Sequence, residues 1–334
     1  MSRHRTRVMS LRVPAVVVAA LAAWIAASPA VPAAQRADQN ELHVLPVRGN
    51  IYMIAGAGAN ITVQIGSDGV LLVDSGSGAN SEHVIAAIRK LTDRPIRWII
   101  NTHFHPDHVG GNGAIATAGE SVPQLSIGVG QLFRDAEASA GIVAHENVLK
   151  RMSAADTPSD SLPLNTFFLN EEEMFFNGEP VQLIHQANAH TDGDVMVFFR
   201  RSDVLATGDL FVTNSYPVTD AAAGGRFDGY LAALNEIVHI AIPEEKQEGG
   251  TWVIPGHGRL SDEADVVDVR DTATIVRDRV QALIKAGKTL EQVRAAKPSL
   301  DHDDRFRSTP EWTPEMFVEA VYRSLAQPAP QPAR

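Results

Sequence analysis

Short apolar runs separated by turn residues make up the chain between Glu41 and Gly78. The runs VLPVRGNIYMIAG, ANITVQIG and VLLVDSGSG have the length of strands, and the Ser-Asp-Gly turn at 67–69 between the last two predicts a hairpin. Ser81–Leu91 then places apolar residues at helical spacing, with Ser81 as its expected N-cap. The β-branched run PIRWII at 95–100 predicts a buried strand.

The second half of the chain begins again with strands. A turn-rich segment, Thr157–Leu164, marks the seam between the two halves. The predicted strands are Thr166–Leu169, Glu173–Phe176, Val181–Ile184, Val204–Ala206 and Trp252–Ile254, with an Asn-Gly turn at 177–178. Helices are predicted around Gly130–Ala138, around Ala144–Met152 and after Asp228, Ser261 and Thr313. The last three are amphipathic and are expected to cover a sheet.

Residues 1–34 have the pattern of a secretory signal peptide. Four arginines precede an apolar run from Val13 to Ala27, and small residues allow cleavage after Ala30, Ala33 or Ala34. The apolar run is short for a membrane span, so an uncleaved anchor is the weaker alternative. We therefore expect a periplasmic or secreted protein without stable membrane insertion after cleavage, a folded domain over residues 35–326 and a disordered tail at 327–334.

Charge and cysteine content narrow the classes of function. The net charge of −11 provides no basic excess to meet phosphate, which argues against a nucleic-acid partner and leaves a small molecule as the expected one. Since the chain has no cysteine, it has neither disulfides nor thiolate ligands or nucleophiles. A metal site in this chain must be built from imidazole and carboxylate groups. The sequence does not predict an oligomeric state.

The stretch NTHFHPDHVGGN, directly after the predicted strand at 95–100, concentrates potential metal ligands. In an extended segment alternate side chains point the same way, so His103, His105 and Asp107 are expected to converge, with Pro106 disfavouring a helix at His105. His108 joins them only if the backbone turns at Asp107. Two imidazoles at this spacing suit one zinc ion, and an adjacent carboxylate and imidazole suit a second metal nearby.

Such a cluster requires further ligands, and three candidates follow later strands: His190, Asp209 and His257. A single histidine or aspartate in such a place more often has a structural role than a ligand role. The shared position of these three residues at strand ends favours a common site. Asp74 also ends a strand and is either a helix cap or a partner that orients a metal-bound histidine. No role is assigned to the remaining histidines, and a capping or solvated role is expected for His145.

The motif HFHPDH, followed by His190, by Asp209 in TGD and by His257 in PGHG, resembles the metallo-β-lactamase superfamily. The resemblance implies an α/β fold, a four-layer αβ/βα sandwich of two mixed sheets flanked by helices. It implies two zinc ions, with Asp209 bridging and Asp74 beside the ligands. The implied ligand sets are His103, His105 and His190 for the first metal, and Asp107, His108 and His257 for the second. Many zinc β-lactamases use a cysteine at the position of Asp209. This chain therefore resembles the thioesterase, lactonase and general hydrolase branches more closely than those β-lactamases.

The resemblance implies a secreted di-zinc hydrolase that attacks a β-lactam, lactone, ester or thioester carbonyl with a metal-bound hydroxide. Asp107 is expected to orient the nucleophile and carry its proton, and Tyr216 is a possible oxyanion donor. One alternative is a mononuclear iron sulfur dioxygenase using His103, His190 and Asp209. Another is a metal-binding protein without catalytic activity.

Overall fold

The computed structural model describes residues 42–121, 139–306 and 308–326. A seven-stranded sheet is built in sequence order from the first half of the chain. Its strands are β1 (His43–Arg48), β2 (Ile51–Ala57), β3 (Ala59–Gly66), β4 (Gly69–Val73), β5 (Ile96–Ile100), β6 (Gly141–His145) and β7 (Asn165–Phe167). β1 to β4 are antiparallel, whereas β4 to β7 run parallel. The carboxyl ends of β4, β5 and β6 therefore meet at one edge.

A second, five-stranded sheet is built from the second half. Its order is β12-β11-β10-β9-β8, and only β11 and β12 are parallel. The strands are β8 (Glu171–Phe176), β9 (Glu179–Gln186), β10 (Asp194–Phe199), β11 (Val204–Ala206) and β12 (Trp252–Ile254). The loops that follow β9, β11 and β12 contain His190, Asp209 and His257.

Helices cover the two sheets on their outer faces. They are α1 (Ser81–Leu91), α2 (Pro106–Val109), α3 (Asn112–Thr117), α4 (Glu146–Ala154), α5 (Phe227–Ile240), α6 (Glu263–Lys285), α7 (Leu290–Ala295) and α8 (Pro314–Ala326). Apolar side chains of both sheets pack together, such as Met53 and Leu71 against Val195 and Val197. Separate apolar clusters join the first sheet to α1 and α3, and the second sheet to α5, α6 and α8. The four-layer sandwich expected from the sequence is confirmed.

The structure corrects two local predictions. Ser81 is the first residue of α1 and its hydroxyl donates to Gly78 O, while Asn80 occupies the N-cap position without a side-chain bond. The helix predicted at Ala144–Met152 begins later, at Glu146, because Gly141–His145 pairs with β5 as strand β6. Pairing with a strand distant in sequence outweighs the local helical pattern at Ala144 and His145.

Three predictions concern parts of the chain outside the described residues: the leader at 1–34, the helix around Gly130–Ala138 and the tail at 327–334. Within the described residues, each helix is either too short or too polar to cross a membrane.

His145 caps α4, which is one of the two roles expected for it, a capping or a solvated residue. Its Nδ1 accepts a hydrogen bond from Asn147 N, and its ring stacks on His185 with the centroids 3.7 Å apart. Burial, with help from His185, lowers the pKa of His145 from 6.5 to about 4. The folded protein therefore resists protonation of this ring.

We expect His145 to make the fold less stable in mild acid. The unfolded chain binds the proton more readily, so the contribution of neutral His145 is complete above about pH 6.5 and is lost as the pH falls toward 4. The loss is at most about 3 kcal/mol. The free energy of unfolding, measured in urea on metal-free protein at several pH values, should depend less on pH in His145→Asn than in the wild type. Asparagine keeps a capping side chain at this position. The exposed His83→Asn should match the wild type, and equal slopes for all three proteins would contradict this origin.

Candidate metal centre

Four side chains form the first group of potential ligands, where the end of β5 meets the loops of the second sheet: His103, His105, His190 and Asp209. Nδ1 of His105 lies 3.2 Å from Nε2 of His103 and 3.0 Å from Nε2 of His190. Oδ2 of Asp209 lies 3.6 Å from Nε2 of His190 and 4.0 Å from Nε2 of His103. Ligand atoms around a tetrahedral zinc ion are about 3.3 Å apart, so this group can hold a metal ion.

A second group contains Asp107, His108 and His257. Oδ2 of Asp107 lies 3.1 Å from Nε2 of His257 and 3.9 Å from Nε2 of His108. Two imidazoles and a carboxylate provide three ligands, which leaves a tetrahedral ion one further position. His257, which is far from Asp107 and His108 along the chain, thus lies beside them in the folded protein.

Asp209 lies between the two groups. Its Oδ2 faces the first, whereas its Oδ1 is 3.2 Å from Nε2 of His108 and 3.4 Å from Nε2 of His257. Among the described residues, Nε2 of His108 and Oδ1 of Asp209 are buried without a hydrogen bond. A metal ion bound by both atoms would satisfy them, as buried polar atoms generally require.

The backbone before Asp209 requires a glycine. Gly208 has a φ of +52°, and a Cβ there would lie 2.5 Å from Oγ1 of Thr102. A larger residue would therefore meet both backbone strain and a steric clash. This close approach brings the loop after β11 against the end of β5, which places Asp209 beside His103.

Asp74 does not cap a helix. Its Oδ2 lies 2.7 Å from Nδ1 of His108 and accepts a hydrogen bond from Oγ1 of Thr102, while Oδ1 accepts one from Thr102 N. Since the hydroxyl of Thr102 donates to Asp74, its oxygen can accept a hydrogen bond from Nδ1–H of His103 at 3.0 Å. Asp74 thus contacts His108 directly and His103 through Thr102. Of its two expected roles, the hydrogen bonds favour orienting the histidines.

Two contacts on the outer side of the first group were not predicted. Oδ2 of Asp220 lies 3.1 Å from Nε2 of His105, and the carbonyl of Val218 lies 2.9 Å from Nδ1 of His190. A carboxylate or a carbonyl at the far nitrogen of an imidazole fixes the tautomer that leaves the near nitrogen free for a metal. Asp220 sits in an irregular loop, so no pattern of strands or helices singles it out.

The electrostatics of the cluster depend on burial and on Asp209. Burial lowers the pKa of His103 well below its usual value, with help from His108 and His190. Burial alone would also lower the pKa of His108, but Asp209 and Asp74 raise it well above the usual value. Burial would raise the pKa of Asp209, yet His108 and His257 hold it well below its ordinary range. Asp209 is therefore an anion facing the imidazoles.

The alternation argument for the HFHPDH stretch is wrong at Asp107. His105 is extended, with φ −65° and ψ 144°, but α2 starts at Pro106, the first helical position that proline favours. Asp107 therefore turns away from the first group and faces His108 and His257. With 40% of its side chain exposed, Asp107 is the most accessible member of the two groups.

Tyr216 does not present its hydroxyl as an oxyanion donor. The hydroxyl donates to Oδ1 of Asp303 at 2.8 Å, and the carbonyl of Ser299 lies 3.3 Å away. The ring is buried and stacks on Phe317 of α8. Tyr216 is a core residue of the helical layer, so its hydroxyl is not placed as the possible oxyanion donor that the sequence suggests.

Metal binding is expected to stabilise the fold. A metal present at about 100 times its Kd contributes about 2.7 kcal/mol per site when it binds only the native state. Adding zinc to chelator-treated protein should therefore raise Tm by at least about 5 °C in a calorimetric scan. His103→Ala should show a smaller rise, whereas His83→Ala on α1 should show the full rise. A Tm that does not respond to any divalent metal would contradict this assignment.

Comparisons with known proteins agree with this geometry. The sequence profile described as "Metallo-beta-lactamase superfamily" matches residues 54–271. A linear primary-alkylsulfatase from Pseudomonas sp. (strain ATCC 19151) is 24% identical over 267 residues, which cover 68% of this chain and 47% of that protein. The chain thus spans about half the length of this curated relative.

Two solved structures show the same fold. A stereoselective inverting sec-alkylsulfatase from Pseudomonas sp. matches with a TM-score of 0.63 at 16% identity, over 85% of this chain and 51% of that one. A metallo-β-lactamase from Pontibacter korlensis matches with a TM-score of 0.53 at 15% identity, over 70% of this chain and 99% of that one. At these identities the likeness is one of fold, whereas the sequence profile covers more than half of the chain. The chain belongs to the metallo-β-lactamase superfamily.

Proposed function

We propose that this protein is a secreted hydrolase that uses two zinc ions. The observation that carries the proposal is the position of Asp209, whose two oxygens face two separate groups of imidazole and carboxylate ligands. His103, His105 and His190 would hold the first ion, and Asp107, His108 and His257 the second. Asp209 would contribute to both. The histidine-carboxylate set and the spacing near 3.3 Å fit zinc.

Each nearby side chain has a distinct part in such a reaction. When bound, the zinc ions supply Lewis acidity and a water of lowered pKa. Asp107, partly exposed and 3.1 Å from His257, orients the attacking water and takes its proton on a carboxylate oxygen. Asp74 and Asp220 keep His108 and His105 in place from behind. These contacts reduce the movement needed to reach the transition state.

The favoured substrate carries an activated carbonyl: a β-lactam, lactone, ester or thioester. A second candidate is a sulfate ester, because one relative of this chain is a linear primary-alkylsulfatase. The site can serve either class, since both reactions add water to an electrophile bearing oxygens that a metal can bind. A substrate panel that includes both classes distinguishes them.

A mononuclear iron dioxygenase is the main alternative. It would use His103, His190 and Asp209, and would leave Asp107, His108 and His257 without a ligand role. The close approach of His108 and His257 to Oδ1 of Asp209, with Asp107 beside His257, favours a dinuclear site instead. Metal analysis of the purified protein should find about two zinc ions per chain, and about one iron would support the alternative.

The direct test is turnover by zinc-loaded protein of a chromogenic cephalosporin, an aryl ester, a lactone, a thioester and a linear alkyl sulfate. We expect hydrolysis of at least one substrate, abolished in His103→Ala and unchanged in His83→Ala. Absence of turnover across the panel, with zinc bound, would favour a metal-binding protein without catalytic activity. Turnover that persists in His103→Ala would show that the reaction occurs elsewhere.

Secretion is part of the same proposal. The basic and apolar pattern of residues 1–34 supports export and cleavage after Ala30, Ala33 or Ala34. Cell fractionation with N-terminal sequencing of the exported protein tests this directly. An uncut protein retained in the cytoplasm would overturn it.

A further inference from the structure

An ion pair joins helix α4 to the loop that contains His190. Nε and Nη2 of Arg151 donate to Oδ1 and Oδ2 of Asp192, both at 2.7 Å. Asp192 follows His190 by two residues, and less than a third of either side chain in the pair is exposed. A bidentate contact between a guanidinium and a carboxylate is strong and directional. It therefore fixes the loop after β9 against a helix from the first half of the chain.

Asp192 is also bound through its backbone. Nδ2 of Asn147, another residue of α4, donates to the carbonyl of Asp192 at 2.9 Å, and Nε2 of His185 lies 2.9 Å from the same oxygen. The amide of Asp192 donates to the carbonyl of Ala223 at 2.9 Å. This one residue thus connects α4, strand β9 and the turn at 220–223.

The turn at 220–223 carries the carboxylate that contacts His105 from behind. Oδ1 of Asp220 accepts a hydrogen bond from Ala223 N at 3.0 Å, and Oδ2 of Asp220 lies 3.1 Å from Nε2 of His105. A Cβ added at Gly224, the next residue, would lie 3.0 Å from Cβ of Asp192, so the turn packs directly on Asp192. A displacement of Asp192 would therefore shift Asp220 and loosen the ring of His105.

Arg151 also reaches His105 from the side of the HFHPDH stretch. Its guanidinium carbon lies 5.5 Å from the centroid of the Phe104 ring, within the range of a cation–π contact. The Phe104 ring lies 4.7 Å from the His105 ring, centroid to centroid. One guanidinium thus supports two neighbours of the same imidazole.

We propose that Arg151 is a positioning residue for the first group of potential ligands. Through Asp192 and the turn at 220–223, and through Phe104, it keeps the His105 imidazole in the orientation that presents Nδ1 to an ion. A guanidinium has no acceptor atom, so Arg151 acts only through these neighbours. The inference rests on the proposed metal centre, but it concerns metal binding and does not require turnover.

Zinc titration of chelator-treated protein, in competition with a chromogenic chelator, tests this role. Arg151→Met keeps most of the side-chain length but removes the charge and the donors. We expect it to weaken one of the two zinc-binding steps at least about threefold and to leave the other unchanged, because only the first group contains His105. Arg151→Lys keeps the charge without the paired donors, so its affinity should lie between those of Arg151→Met and the wild type.

Arg279 offers a matched control. Its Nη1 and Nη2 also donate to both oxygens of an aspartate, Asp301, and neither residue belongs to the two groups of potential ligands. Arg279→Met should therefore leave both binding steps unchanged. Asp192→Asn disrupts the pair with Arg151 from the other side. Combined with Arg151→Met, it should weaken zinc binding by less than the product of the two single effects, because both act through one contact.

Nitrogen-15 NMR of the histidines in metal-free protein gives a second readout that needs no zinc. In the wild type, at a pH where the ring is neutral, the contact with Asp220 should keep His105 as the tautomer protonated at Nε2. Arg151→Met should increase the share protonated at Nδ1, whereas Arg279→Met should not.

Three results would overturn the proposal: unchanged zinc binding in Arg151→Met, equal losses of zinc affinity in Arg151→Met and Arg279→Met, or effects of Arg151→Met and Asp192→Asn that multiply as if independent. If the wild-type protein bound no zinc, the proposed hydrolase would fail. The tautomer of His105 would then still decide the role of Arg151, so the two proposals can fail separately.

Discussion

Asp209→Ala is expected to abolish hydrolysis and to remove most of the bound zinc. The substitution takes an anionic oxygen from each of the two groups at once, since Oδ1 faces His108 and His257 while Oδ2 faces His190. The remaining imidazoles repel one another when protonated. We expect kcat/KM to fall at least about a thousandfold, which corresponds to about 4 kcal/mol of lost transition-state stabilisation.

Asp209→Asn provides a sharper version of the same test. Asparagine offers one oxygen and one N–H₂ group, so it can serve only one of the two groups. Elemental analysis should find about one zinc per chain in Asp209→Asn and about two in Asp278→Ala, an exposed control on α6. Full zinc content and activity in both Asp209 variants would show that the carboxylate does not bridge.

Asp74→Asn should weaken zinc binding about 10- to 100-fold without touching a ligand. The amide oxygen can still accept a hydrogen bond from Thr102 N, but the N–H₂ group cannot accept one from Nδ1–H of His108. His108 then loses the partner that fixes its tautomer, and Thr102 loses the acceptor that orients it toward His103. Competition with a chromogenic chelator measures the change in zinc affinity.

A matched substitution controls for the backbone. Asp74 has a φ of 65°, a conformation that asparagine also tolerates, and the exposed Asp156 has a φ of 52°. Asp156→Asn should therefore leave zinc affinity unchanged. An equal loss in both variants would indicate a general effect on folding. Unaltered affinity in Asp74→Asn would mean that the contact with His108 is structural only.

The potential ligands could be predicted because each follows a short apolar strand whose boundaries are visible in the sequence. Strands β11 and β12 have the predicted bounds, Val204–Ala206 and Trp252–Ile254. When such strands run in the same direction in a sheet, their carboxyl ends meet at one edge. The chain order of His190, Asp209 and His257 was therefore enough to expect a shared site, although it did not give their distances.

Other features depend on contacts that a linear pattern does not contain. Strand β6 is recognisable only from its pairing with β5, because its five residues run directly into α4. Asp220 lies in an irregular loop 115 residues from its partner His105. Tyr216 follows Asp209 closely in sequence, yet its side chain turns to Phe317 and Asp303. Tyr216 was expected near the site because it is close to Asp209 in sequence. Asp220 was not expected there because it is far from His105 in sequence.

Each half of the polypeptide contributes only part of the set of potential ligands. The first half supplies His103, His105, Asp107 and His108, and the second supplies His190, Asp209 and His257. An ion held by such a set acts as a cross-link between the halves. A single cut by a protease in the segment Thr157–Leu164 would leave two fragments that the metal still ties together. Their separation would then require removal of the metal as well as disruption of the apolar layer between the sheets.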